Sequence, residues 1–278
     1  MRKFKRHATS IKSDDGFSIY YEVDYPKTHK TLLFLHGLGG DLTIWNEERK
    51  RLNSYGYATI AVDLRGHGLS DRPSRKEDYD LKHFVDDIYQ VIQHEHLLKT
   101  SITGHSLGGM IALTLEGTYP KTSQSLVLVD TGYKAPAFAQ KFIDHPLFHK
   151  LLEILIEHMP DVYSASHVNF AQFKGTGNFN VSRFFSDIIH TSFRDYFLIC
   201  DQLISYDASG LLKKIQVPTL IIEGQQDSVF PPNMAKDLAH RIKHAYLEVI
   251  ENADHILLLN NSNDVTENIH KFLQRIRY

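Results

Sequence analysis

The chain has 278 residues, 42% of them hydrophobic and 23% charged, with a formal net charge of −2. That length fits one large α/β domain or a core carrying an insert, and the near-zero charge gives no basis for nucleic acid or an acidic membrane surface as a partner. A single cysteine excludes an intramolecular disulfide and a cysteine-based metal cluster, and no run approaches the ~18 apolar residues of a membrane span.

The basic start, MRKFKRHATSIKSDDG, lacks the apolar stretch of a signal peptide, so the expectation is a cytoplasmic protein with a frayed N-terminus. HATSIK and FSIYYEV, separated by SDDG, predict a hairpin. TLLFLHG, YATIAVDL, TSITGHS, SLVLVDTG, PTLIIEGQQD and AYLEVIE are compact apolar runs, as strands buried on both faces of a parallel sheet require. Helical segments alternate with them: LTIWNEERKRLNSYG, LKHFVDDIYQVIQHEHL, LGGMIALTLEGTYP, PNMAKDLAHRI and SNDVTENIHKFLQRI. In the second, Phe84, Val85, Ile88, Val91 and Ile92 recur at helical spacing and make one apolar face. The pattern predicts an α/β fold with a mostly parallel central sheet of about eight strands and helices on both faces. Between about Tyr133 and Tyr206 the alternation stops and aromatic-rich helical sequence takes over. A core of residues 1–132 and 207–278 with a helical insertion at 133–206 is therefore expected. Cys200 lies in the apolar run YFLIC of that insert, the setting of a buried, inert thiol.

Gly104-His105-Ser106-Leu107-Gly108 fits G-x-S-x-G between a strand and a helix. A serine at such a turn needs unusual backbone angles, and small neighbours keep the turn free of collisions. Ser106 is the candidate nucleophile, and the Leu107 N–H, at a helix N-terminus, is a candidate oxyanion donor. A serine hydroxyl needs a base, and the base needs an orienting acid. His255 and Asp227 each follow a predicted strand, at the sheet edge where Ser106 emerges. Asp130 is a rival acid at the end of the preceding strand, and Asp227 could instead serve as a turn or helix cap. His36, His67 and His105 sit near the same edge and read as structural supports. The loop HGLGG after the first buried strand offers the Leu38 N–H as second oxyanion donor; it lacks the lysine of a phosphate-binding loop.

HGLGG, DLRGHGLSDRP, GHSLGG, GQQDSVFPP and ADHILLLN, in that order, resemble the α/β-hydrolase superfamily over nearly the whole chain. The resemblance implies a serine hydrolase, esterase-like, with a helical cap over its site. It also implies that Arg65 and His67 brace the pocket wall. Epoxide hydrolases and haloalkane dehalogenases of this fold carry an aspartate nucleophile, where this chain has Ser106. Carbon–carbon bond hydrolases often have tryptophan after the base, where this chain has Ile256.

The expected activity is hydrolysis of a small-molecule carboxylic ester by Ser106, His255 and Asp227, with Leu38 and Leu107 as the oxyanion hole and no metal or cofactor. Carbon–carbon or thioester cleavage on the same residues, and a non-hydrolytic receptor on the same fold, are the alternatives. Gly37, His105, Phe138, Phe142 and Val229 are the expected substrate contacts, and Lys174 to Phe179 the expected hinge. The protein is expected to be a monomer or homodimer without nucleic-acid or membrane partners.

Overall fold

The structure, a computed structural model, describes residues 6–24, 30–97, 99–136, 139, 150, 154, 156–158, 162–178 and 180–278. The strands are β1 (Arg6–Lys12), β2 (Ser18–Asp24), β3 (Thr31–Leu35), β4 (Ala58–Val62), β5 (Thr100–His105), β6 (Ser125–Val129), β7 (Thr219–Gly224) and β8 (Ala245–Ile250). They form one eight-stranded sheet in the order β1-β2-β4-β3-β5-β6-β7-β8. The β1–β2 hairpin and the β2–β4 pair are antiparallel, and the remaining pairs are parallel.

The unbroken apolar runs follow from burial on both faces. Side chains alternate across a strand. Leu33 and Leu35 of β3 join one core with Ile60, Ile102 and Leu128, while Leu32 and Phe34 join another with Trp45, Val127 and Ile222. The first core is closed by α2 (Leu81–His94) and α3 (Leu107–Thr118), through Ile88, Val91, Met110 and Ile111. The second is closed by α6 (Ser262–Arg275), through Val265, Ile269 and Phe272. Each such side chain, fully removed from water, contributes about 1.5–3 kcal/mol. LTIWNEERKRLNS divides into a 3₁₀ turn at Leu42–Trp45, capped by the Asp41 side chain at Thr43 N–H, and α1 (Asn46–Ser54). Among the described residues, no helix is long and apolar enough to cross a membrane.

Strand order places the site. The chain steps from β3 to β4 on one side and then crosses back to β5 on the other, so the loops after β3 and β5 diverge around a crevice at the carboxyl edge. β7 and β8 end at the same edge. Beyond β6 the chain leaves the sheet at Tyr133 and returns near Asp207. Lys134 and Asp207 form an antiparallel bridge there, flanked by Ala135 N–H to Tyr206 O and Ala208 N–H to Tyr133 O, both 2.8 Å. Between these points lie α4 (Val181–Thr191) and α5 (Phe193–Ile204). The insert is seated on the core by polar contacts: Val168 N–H donates to Asp41 at 2.6 Å, and His167 Nε2 lies 2.8 Å from Asp63 Oδ2.

Packing at the β5–α3 junction demands glycine. A Cβ on Gly104 would lie 2.3 Å from the Gly108 main chain, and one on Gly108 would lie 2.3 Å from Leu35 O. Both obstacles are backbone and cannot rotate away. Gly108→Ala is therefore expected to lower stability by about 1–3 kcal/mol, read from the urea midpoint; an unchanged midpoint contradicts this packing.

Candidate active site

Ser106 stands between β5 and α3 with φ 51° and ψ −116°. Non-glycine residues rarely adopt this region, and holding one there costs about 1–3 kcal/mol. Neighbouring contacts impose it. Ser106 N–H donates to Val129 O at 3.0 Å, and its carbonyl accepts the Gly109 and Met110 N–H groups and the Thr131 hydroxyl. The turn lifts Oγ out of the sheet while Leu107 begins α3, where a first-turn N–H has no intrahelical acceptor.

His255, in the loop after β8, brings Nε2 to 3.2 Å from Ser106 Oγ. Its Nδ1–H donates to Asp227 Oδ2 at 2.7 Å. Asp227 follows β7 and is 4% exposed. Its other oxygen accepts the Val229 and Phe230 N–H groups at 2.6 and 3.0 Å. Burial works to raise the Asp227 carboxyl, but hydrogen bonds from His255, Phe230 and Val229 hold it below the ordinary carboxylate value. Asp227 is thus at once the imidazole's partner and the cap of its own turn.

Asp130 is excluded from the imidazole by its own contacts. It accepts Gly224 N–H at 2.9 Å and Leu257 N–H at 3.4 Å, bracing the roots of both the acid and base loops. Burial, then the nearby Asp227, pushes its carboxyl well up. Glu223, fully buried in β7, is pushed up to about 12 by burial and by Asp130 and Asp227. Carboxylate oxygens of Asp130, Glu223 and Asp227 lie within 4.8 Å of one another. Of the three, Asp227 alone is held below the ordinary carboxylate value, and it is the one bonded to His255.

The loop after β3 lies directly against Ser106. A Cβ on Gly37 would fall 2.9 Å from His105 Nδ1 and 3.2 Å from Ser106 Cβ. Two buried histidines shape this loop. His36 Nδ1–H donates to Gly37 O at 2.8 Å and its Nε2 accepts Leu64 N–H at 3.0 Å. His67 Nδ1–H donates to Arg65 O at 3.0 Å and its Nε2 accepts Gly39 N–H at 3.2 Å. Burial holds both imidazoles below the ordinary value, so each keeps the single neutral tautomer its partners require. Arg65 is engaged with Asp87 and Asp15. His105 Nε2–H donates to the His255 carbonyl at 3.0 Å.

A cavity of about 50 Å³ lies beside this loop, lined in part by Gly37, Leu38, His105, Phe170, Arg183 and Ile256. Of the expected substrate contacts, Gly37 and His105 are among its lining residues and Val229 is not; the Val229 N–H donates to Asp227. Phe138 and Phe142 lie outside the described residues. The sequence reading missed Arg183 and Asp187, which α4 turns toward this cavity while Val181, Phe184, Phe185 and Ile189 face outward. The spacing of Arg183 and Asp187, one helical turn apart, is the signal that could have found them. Burial lifts the Asp187 carboxyl to about 7.

Residues 30–262 match the model of the alpha/beta hydrolase fold family, and the chain belongs to that family. Among curated relatives, Protein ABHD8 of Homo sapiens is 26% identical over 248 residues, covering 87% of this chain and 54% of the human protein. The chain thus spans about half the length of that relative. AB hydrolase superfamily protein YisY of Bacillus subtilis (strain 168) is 28% identical over 267 residues, with 91% of each chain covered. Among solved structures, an esterase from Exiguobacterium antarcticum superposes with a TM-score of 0.73 at 24% identity, covering 96% of this chain and 99% of the other.

Burial, then the neighbouring His255, pushes the His105 imidazole down to about 3. An unfolded histidine takes its proton near pH 6.5, so as pH falls from there toward 3 the unfolded state binds the proton first and this group destabilises the fold. His105→Gln removes that penalty. Relative to wild type, the variant's unfolding free energy should improve by about 1.4 kcal/mol per pH unit below pH 6. Urea titrations at pH 7, 6 and 5 measure this; a difference independent of pH contradicts it.

Proposed function

We propose that the protein hydrolyses carboxylic esters through an acyl-enzyme on Ser106, with His255 as base and Asp227 as its orienting acid. The observation that carries this reading is the continuous hydrogen-bonded line from Asp227 Oδ2 through His255 to Ser106 Oγ, at 2.7 and 3.2 Å. His255 Nε2 takes the hydroxyl proton as Oγ attacks the ester carbonyl. The tetrahedral oxyanion is received by the N–H groups of Leu38 and Leu107, preorganised by the Gly37 loop and the start of α3. His255 then protonates the leaving alcohol, takes a proton from water as it attacks the acyl carbonyl, and returns that proton to Ser106 Oγ as the acid departs. Asp227, ionised at neutral pH because its value is held low, keeps Nδ1 protonated and stabilises the imidazolium. The steps require neither metal nor cofactor.

A serine at the strained turn separates this reading from aspartate-nucleophile chemistry on the same fold. Residues 133–206 form the cap in this account, which brings Phe170, Arg183 and Asp187 over the nucleophile.

Ser106→Ala should retain the fold and lower kcat on the order of 10⁶-fold if serine and base act as a unit. Asp227→Asn should lower it on the order of 10⁴-fold by imposing the wrong tautomer. Steady-state kinetics on p-nitrophenyl acetate and butyrate test both. Near-normal turnover by Ser106→Ala, or no ester hydrolysis by wild type, rejects the reading.

A further inference from the structure

His255 is held at three points. Its ring is held by Asp227, its carbonyl by His105, and its N–H by the side chain of Asn178, whose Oδ1 accepts it at 2.8 Å. The first two partners belong to the sheet core. Asn178 belongs to the insert, on the loop before α4. The same residue makes three further contacts. Its N–H donates to Asp254 Oδ2 at 3.0 Å and its Nδ2 donates to Ser228 Oγ at 3.2 Å, next to Asp227. Its carbonyl accepts Arg183 Nη2 at 2.7 Å, at the cavity. An amide side chain both accepts and donates, so one residue spans the base loop and the acid loop.

We infer that Asn178 is a positioning residue for the base: it fixes the His255 main chain from the cap side, so that seating of the cap and alignment of the triad are one event. The inference rests on the ester-hydrolase reading above. Its physical basis is the 3.2 Å separation of His255 Nε2 and Ser106 Oγ, already at the outer edge of hydrogen-bond reach. A displacement of 1 Å at a reacting pair costs about 100-fold in rate. Loss of one of three anchors lets the base loop sample such positions. The segment expected to act as a hinge, Lys174 to Phe179, is thus fastened where it is described. Besides Asn178, Gly175 N–H donates to Asn260 Oδ1 at 2.7 Å, and Asn260 Nδ2 donates to Thr176 O at 2.9 Å.

That second fastening provides the control. Asn178→Ala removes the His255 anchor, whereas Asn260→Ala removes two loop contacts and leaves His255 held. On p-nitrophenyl acetate, Asn178→Ala should lower kcat about 10- to 100-fold with KM within twofold, and amide exchange at His255 should accelerate. Asn260→Ala should keep kcat within threefold. Ser228→Ala, which removes only the Nδ2 acceptor, should lower kcat less than Asn178→Ala, and it serves as the second probe should Asn178→Ala fail to fold. Wild-type kcat in Asn178→Ala, an equal loss in the two asparagine variants, or a change confined to KM overturns the inference. So does a Ser228→Ala loss matching or exceeding that of Asn178→Ala; should Asn178→Ala not fold, unchanged kcat in Ser228→Ala does the same. Absence of ester turnover in wild type instead defeats the underlying reading and is distinguishable from all of these.

Discussion

The structure depends on one strained residue. Ser106 is held at φ 51° where a left-handed conformation is unfavourable for a side chain of its kind. The strain is sustained because the surroundings leave no alternative. Gly104 meets the start of α3, Gly108 meets the end of β3, and the Ser106 main chain is bonded to β6 and to Thr131. The turn that exposes Oγ is also the start of α3, whose first N–H is an oxyanion donor in the proposed mechanism.

Electrostatics then select one acid among three carboxyls buried in the same place. Burial pushes the Asp130 and Glu223 carboxyls up, and His105 Nε2 stands 3.9 Å from Asp130 Oδ2. Asp227 has the His255 ring and two backbone N–H groups, which hold its carboxyl below the ordinary value. Asp130 serves the site as an acceptor for main-chain N–H groups at the roots of the acid and base loops.

Much of this was legible in the sequence because it is local. Runs such as TLLFL and SLVLV read as strands, since both faces of a parallel sheet are apolar, and the eight-stranded sheet has the predicted character. GHSLGG announces its turn because steric demands there fall on residues two apart. Contacts across the fold leave no such trace. Nothing near Asn178 in KGTGNF indicates that its side chain meets His255, 77 positions later. Glu223 reads as an anomaly in an apolar strand, and its neighbours Asp130 and Asp227 become apparent only when β6 and β7 pair. In the aromatic-rich insert, Phe184 and Phe185 are 44% and 58% exposed, while α4 buries Asp187, Ile188 and Thr191. Composition reports how apolar a helix is; its rotation is set by what it packs against.

Activation of Ser106 Oγ by His255, itself held by Asp227, is tested most directly by mass-spectrometric mapping of the adduct formed with a fluorophosphonate, which reacts with an activated serine. A single adduct on the peptide containing Ser106, lost in His255→Ala and strongly slowed in Asp227→Asn, is the result this structure predicts. An adduct on another serine, or labelling of Ser106 at the same rate in all three proteins, contradicts it.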